Sequence, residues 1–114
     1  MNVTDIFVSI NARDFDAQTA WWAMLIGRDP DRKPMPSCRE WDLAPSVLFQ
    51  VLDAPGNGFT EVSLRIDDLA TEIARLRRAN IDVPDPEKVE GFESLRWSAF
   101  IDPEGNKVNL LEGG

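Results

Sequence analysis

Two stretches of the chain carry the same order of apolar and polar positions. "VSINARDFDAQTAWW", from Val8, and "VSLRIDDLATEIARL", from Val62, align at one constant offset without a gap. Val8, Ser9, Ile10, Asp14 and Ala20 meet Val62, Ser63, Leu64, Asp68 and Ala74, while Phe15 meets Leu69 and Trp22 meets Leu76. Each copy opens with period-two alternation, the mark of a strand with one buried face. In the first, Val8 and Ile10 share one side and Phe7, Ser9 and Asn11 the other. In the second, Val62, Leu64 and Ile66 oppose Glu61, Ser63 and Arg65. An Asp follows where a helix N-cap belongs, Asp14 and Asp68, with its carboxylate available to the unpaired amides of the first turn. The spacing then becomes helical: Phe15, Trp22 and Ile26 in one copy, Leu69, Ile73 and Leu76 in the other. Gly27 and Asn80 come next, two residue types that readily adopt the left-handed conformation ending a helix.

After each helix the chain turns Pro-rich and then extended. "GRDPDRKPMPS" precedes "REWDL" and "SVLFQVLD"; "VPDPEKVEG" precedes "SLRWSAFI" and "KVNLLE". Asp102-Pro103-Glu104-Gly105 fits a type I turn between the last two strands, with Pro second and Gly fourth. Pro55-Gly56, within "DAPGNGF", separates the copies. The expected order is β-α-β-β-β twice, an α+β chain of 114 residues in one domain, with modules at 3–53 and 59–112. A ferredoxin-like βαββαβ order fits less well, because two extended segments follow each helix.

Composition narrows the function. Twenty acidic residues against 12 basic ones give a net charge of −8, and the basic residues are dispersed. Nucleic acid binding depends on phosphate neutralisation, so it is not expected. The longest apolar run, "AWWAMLI", is too short to span a membrane or to serve as a secretory core, which points to a cytoplasmic protein. The chain holds no histidine and one cysteine, Cys38. A Cys–His nucleophile is excluded, and so is a paired-thiolate zinc site. "GNG" at 56–58 matches no phosphate-binding loop.

The strand, the Asp-led helix ending in "WWAMLIGR", the repeat "LRIDDLATEIARLRRANI" and the closing "FIDPEGNKVNLLE" together resemble the glyoxalase/bleomycin resistance/dioxygenase superfamily, the vicinal oxygen chelate fold. "EWDLAPSVLFQVLDAP" is also similar to small bacterial glyoxalase-like domains. The likeness runs from about Val3 to Glu112. It implies two βαβββ modules whose mixed sheets curl around a cleft, in a homodimer. It also implies four positions that supply metal ligands in metal-dependent members, here Phe7, Gln50, Glu61 and Asn109. Catalytic metals want imidazole and carboxylate ligands, whereas this set holds one carboxylate, two amides and a phenyl ring, so neither a metal nor another cofactor is expected.

The expected function is binding of a small organic molecule, cationic or aromatic, in the cleft between modules. Phe7, Trp41 and Trp97 would stack on it, Ser9, Gln50 and Asn109 would bond to it, and Glu61 would attract its charge. The alternative is a lyase or isomerase of the glyoxalase type, using Glu61 as the catalytic acid-base group or a weakly held divalent metal; against a catalytic role, Glu61 would pair with Arg65 or Arg96 as a solvated carboxylate. Glu112 falls on the opposite face from Asn109 by strand alternation. Trp22 belongs to the core, and Trp21, beside it, is a candidate either for a subunit contact or for cover by its own loop, "RDPDRKPMP".

Overall fold

A computed structural model describes residues 1–56 and 58–114; Asn57, in the segment between the two copies, lies outside the described residues. The chain divides into two compact units, Met1–Gly58 and Phe59–Gly114. The first contains β1 (Ile6–Ala12), α1 (Phe15–Ile26), β2 (Arg32–Met35), β3 (Cys38–Ala44) and β4 (Val47–Asp53). The second repeats the order with β5 (Glu61–Arg65), α2 (Leu69–Arg78), β6 (Glu87–Lys88), β7 (Arg96–Ile101) and β8 (Lys107–Glu112). The duplicated β-α-β-β-β order expected from the sequence is the observed one. No helix among the described residues is long and apolar enough to cross a membrane.

Each unit forms one four-stranded mixed sheet, ordered β1-β4-β3-β2 and β5-β8-β7-β6. The first strand of each pairs in parallel with the last, and the remaining pairs are antiparallel. Parallel partners cannot be joined by a tight hairpin, so the intervening helix and two strands supply the crossover. β3 and β4 are antiparallel, and Ala44 pairs with Val47 across the Pro45-Ser46 loop. Ser46 takes a left-handed φ of 61° there.

The helix caps are local chemistry. Asp14 accepts from the Ala17 N–H at 3.2 Å, and Gly27 closes α1 at φ 94°. Asp68 accepts from the Thr71 N–H at 3.1 Å and from the Thr71 hydroxyl at 2.7 Å, and Asn80 follows α2 at φ 63°. The Thr71 hydroxyl, then its N–H, hold the Asp68 carboxyl below its ordinary range. A carboxyl whose folded value is depressed contributes stability that is fully present above its unfolded value. That contribution is lost as the pH falls through the folded value. Asp68→Asn retains an acceptor for the cap but does not titrate. Its melting temperature is therefore expected to fall less steeply than wild type on acidification, and superimposable profiles from pH 6 downward would contradict the cap's titration.

Under α1, the first sheet buries Ile10, Ala12, Trp41, Phe49 and Val51 against Trp22 and Leu25. Ring centroids lie 4.4 Å apart for Trp22 and Phe49, and 5.9 Å for Trp41 and Phe49. The buried stripe of α1 is Gln18, Trp22 and Leu25, not Phe15, Trp22 and Ile26. Phe15, in the first turn, is half-buried and carries the Arg39 guanidinium over its ring at 4.8 Å, while Ile26, in the last turn, is half-buried too. The second sheet buries Val62, Phe100, Val108 and Leu110, and α2 adds Leu69, Ile73 and Leu76, the face its spacing predicts. Glu112 accepts from the Leu69 N–H at 3.0 Å, which puts its carboxylate on the helix side of the sheet.

Candidate functional site

Because side chains alternate along a strand, whatever is not committed beneath the helix points to the other face. In the first sheet the register sets Phe7 beside Leu48 and Asp42, then Ser9 beside Gln50 and Glu40, then Asn11 beside Leu52 and Cys38. The middle row is a continuous hydrogen-bonded chain. Ser9 Oγ donates to Gln50 Oε1 at 2.8 Å, and Gln50 Nε2 donates to Glu40 Oε1 at 2.7 Å. Arg32, opposite Glu40 on β2, donates through Nη1 to Glu40 Oε2 and through Nη2 to Asp42 Oδ2 at 2.6 Å. Those two carboxylates, Asp42 first, hold the Arg32 guanidinium above its already high range.

The second sheet repeats the scheme with different residues. Its helix-free face sets Glu61 beside Lys107 and Ile101, then Ser63 beside Asn109 and Ala99, then Arg65 beside Leu111 and Trp97. Asn109 Nδ2 donates to Glu61 Oε1 at 2.8 Å and to Ser63 Oγ at 3.1 Å. Lys107 Nζ lies 3.7 Å from Glu61 Oε1. Ser9–Gln50 and Ser63–Asn109 therefore occupy equivalent places in the duplicated fold.

Six of the seven residues singled out from the sequence lie on these faces. Phe7 is 56% exposed, on an edge strand of the first sheet. Ser9 is exposed and bonded to half-buried Gln50. Glu61 is exposed and bonded to buried Asn109, and Trp97 is half-buried one row further on. Trp41 does not join them. It pairs with Phe49 on β4, faces α1, and is fully buried, with its Nε1 donating to the Arg28 carbonyl at 3.0 Å. An indole enclosed in that way cannot stack on a ligand. Glu61, moreover, pairs with Lys107 and Asn109 rather than with Arg65 or Arg96.

The sequence reading missed Glu40, Arg32, Ser63 and Lys107. Glu40 was not within reach of strand counting. A two-residue loop at Pro45-Ser46 pairs Ala44 with Val47, and regular pairing from there would set Trp41 opposite Gln50; an irregularity between Asp42 and Ala44 shifts the register and brings Glu40 there instead.

The available chemistry is limited. Burial pushes the Cys38 thiol up, and the neighbouring Glu40 charge adds to the effect, so Cys38 is a protonated core group and not a nucleophile. The donor set does not fit a catalytic metal. Phe7 has no donor atom, Gln50 turns its oxygen to Ser9, and Asn109 turns nitrogen, which does not ligate, toward Glu61 and Ser63. Among the described residues, no three His, Cys, Asp or Glu side chains gather as ligands.

A duplicated α+β chain with a parallel first-to-last strand pair in each half has the glyoxalase/bleomycin resistance fold. Solved structures agree. The chain is similar to a glyoxalase/bleomycin resistance protein from Catenulispora acidiphila DSM 44928, at 22% identity over 96% of this chain and 98% of that one, with a TM-score of 0.84. It is similar to TnmS3, an antibiotic binding protein from Streptomyces sp. CB03234, at 20% identity over 100% and 99% of the two chains, with a TM-score of 0.80. A bleomycin-binding protein complexed with bleomycin matches at 20% identity over 96% and 97%, with a TM-score of 0.74. At these identities the likeness carries the fold alone. No curated protein matches the sequence. The profile of the family described as "Glyoxalase-like domain" matches residues 7–111, and the chain belongs to that family.

Proposed function

We propose that the protein binds a small organic molecule, cationic or aromatic, on the helix-free faces of its sheets, without a catalytic metal. One observation carries this reading: each face holds a hydrogen-bonded Ser–amide–carboxylate row with an accessible aromatic side chain beside it, Phe7 on the first and Trp97 on the second. A few directed polar groups among apolar ones are the usual make-up of a small-ligand site. On the first face Phe7 stacks on a ligand and Ser9 and Gln50 exchange hydrogen bonds with it; on the second Trp97 stacks, Asn109 exchanges hydrogen bonds and Glu61 supplies negative charge. Bleomycin binding and antibiotic binding by proteins of the same fold support the assignment. The enzymatic alternative asks Glu61 to move a proton. A side chain 60% exposed and already engaged by Lys107 is better suited to an anionic contact.

The test combines native mass spectrometry of protein isolated from its own cells with tryptophan-fluorescence titrations against bleomycin and the cationic dye proflavine. A co-purified organic mass, or saturable quenching at micromolar probe that is lost in Trp97→Phe, is expected. Glu61→Gln should weaken the titrated probe about three- to tenfold, the effect of one hydrogen bond. No added mass together with no saturable response to either probe overturns the proposal. The same spectra report on the homodimer: a species at the monomer mass alone removes it.

A further inference from the structure

The Ser9–Gln50–Glu40–Arg32 row has a direction, and Glu40 sets it. An ionised carboxylate only accepts hydrogen bonds, so the Gln50 amide must present nitrogen to Glu40 and oxygen to Ser9. Glu40 is itself held in place. It is 6% exposed, and Arg32 grips its second oxygen while binding Asp42 with the other arm of the guanidinium. Asp42 is fixed in turn, because its backbone N–H donates to Asp31, and Arg28 binds both Asp31 and the Asp42 carbonyl. We propose that Glu40 is a positioning residue of the binding face, locking the Gln50 amide so that its remaining N–H is the donor offered to a ligand. This deepens the binding function proposed above and rests on it.

The second sheet supports the inference by contrast. At the place of Glu40 it has Ala99, and the carboxylate that orients the equivalent amide comes from the other side, as Glu61 on β5. Asn109 gives both N–H groups away, to Glu61 and Ser63, which leaves Oδ1 to accept. The duplicated rows thus differ in polarity: the first offers an amide N–H and takes an acceptor group, and the second offers a carbonyl and takes a donor. The placement of the two carboxylates, on the third strand of one module and the first of the other, produces that difference.

Side-chain amide NMR of the ligand-free protein tests the orientation directly. In wild type, one Gln50 Nε2 proton is expected to be shifted and protected from exchange. Glu40→Gln can donate as well as accept and no longer fixes the Gln50 amide in one orientation, so the bonded Gln50 proton should lose its shift and protection while the Asn109 pair stays in place. Arg32→Ala, which leaves the carboxylate but releases it, provides a second variant and should shift the same signals. Gln50 resonances unmoved in both variants overturn the proposal. With bleomycin as probe, Glu40→Gln should weaken binding about three- to tenfold, and should add little once Gln50 is already alanine. Full additivity of the two substitutions, or unchanged affinity in Glu40→Gln, also overturns it. If wild type does not bind the probe, the function proposed above is weakened on its own, and the Gln50 resonances still decide the orientation.

Discussion

Trp22→Ala is expected to destabilise the protein by about 3–5 kcal/mol, the usual range for removing a buried aromatic side chain. Trp22 is fully buried on α1, its ring lies 4.4 Å from Phe49, and it makes an edge-on contact with Trp21 at 5.3 Å. The substitution leaves a cavity between helix and sheet and removes an aromatic pair that adds about 0.5–1.5 kcal/mol beyond its area. Against a total stability of about 5–15 kcal/mol, that loss brings the chain close to unfolding. Urea denaturation followed by circular dichroism measures it. A shift below about 1 kcal/mol would mean that the helix and sheet collapse onto the vacancy, and that Trp22 is not the keystone of the first unit. The effect reaches the helix-free face because Phe49 and Gln50 are neighbours on β4, pointing to opposite sides. A strand that loses its support beneath α1 no longer holds Gln50 against Ser9 and Glu40.

The fold was legible because its signals are local and written twice. Asp14 and Asp68 cap the helices they precede, Gly27 and Asn80 end them in left-handed conformations, and Leu69, Ile73 and Leu76 bury the face their spacing predicts. Glu112 falls on the helix side, as alternation requires, and finds the Leu69 N–H there. The less legible elements were the short strands after each helix. Arg32–Met35 contains a proline and Glu87–Lys88 is two residues long, so neither carries a periodic pattern to read. Helix α1 also departed from its spacing, because a polar residue, Gln18, occupies its buried stripe.

The site was legible in part, and the failure at Trp41 has a physical cause. In "REWDL", alternation opposes Trp41 to Glu40 and Asp42, but it does not say which side faces the helix. Trp41 takes the helix side and Glu40 the other, because Arg32 and Gln50 satisfy Glu40 without water, eight residues earlier and ten residues later in the chain. A buried carboxylate is tolerated only with such partners, and partners that arrive through tertiary pairing leave no trace in a local pattern. Ser9 and Glu61 were phased by alternation along their strands, Gln50 and Asn109 came from the family resemblance, and all four lie on the helix-free faces.

Asp102→Ala is expected to cost about 3 kcal/mol, more than any other polar substitution considered, because it strands several buried donors at once. Asp102 is 2% exposed. Its Oδ1 accepts from the Glu104 and Asn106 N–H groups, each at 2.9 Å, and its Oδ2 accepts from Asn106 Nδ2 at 2.8 Å. Asn106, so oriented, accepts from the Thr60 N–H at 2.9 Å, and Lys107 N–H donates to the Thr60 carbonyl at 2.8 Å. The turn therefore fixes more than a hairpin. It sets the start of β8 against the start of β5, and with it the register that faces Glu61 to Lys107 and Ser63 to Asn109. Gly105 completes the turn at φ 87°, where the Phe59 ring lies 2.9 Å from the position a Cβ would take. Asp102→Asn provides the control. Its amide oxygen still accepts from the backbone, but its nitrogen cannot accept from Asn106, so a loss of about 1 kcal/mol is expected. Chemical denaturation ranks the two variants, and the Asn109 side-chain amide signals report the register. Equal stabilities for wild type and Asp102→Ala, or Asn109 signals unmoved in it, would show that strand pairing holds the Glu61–Asn109–Ser63 row without the turn.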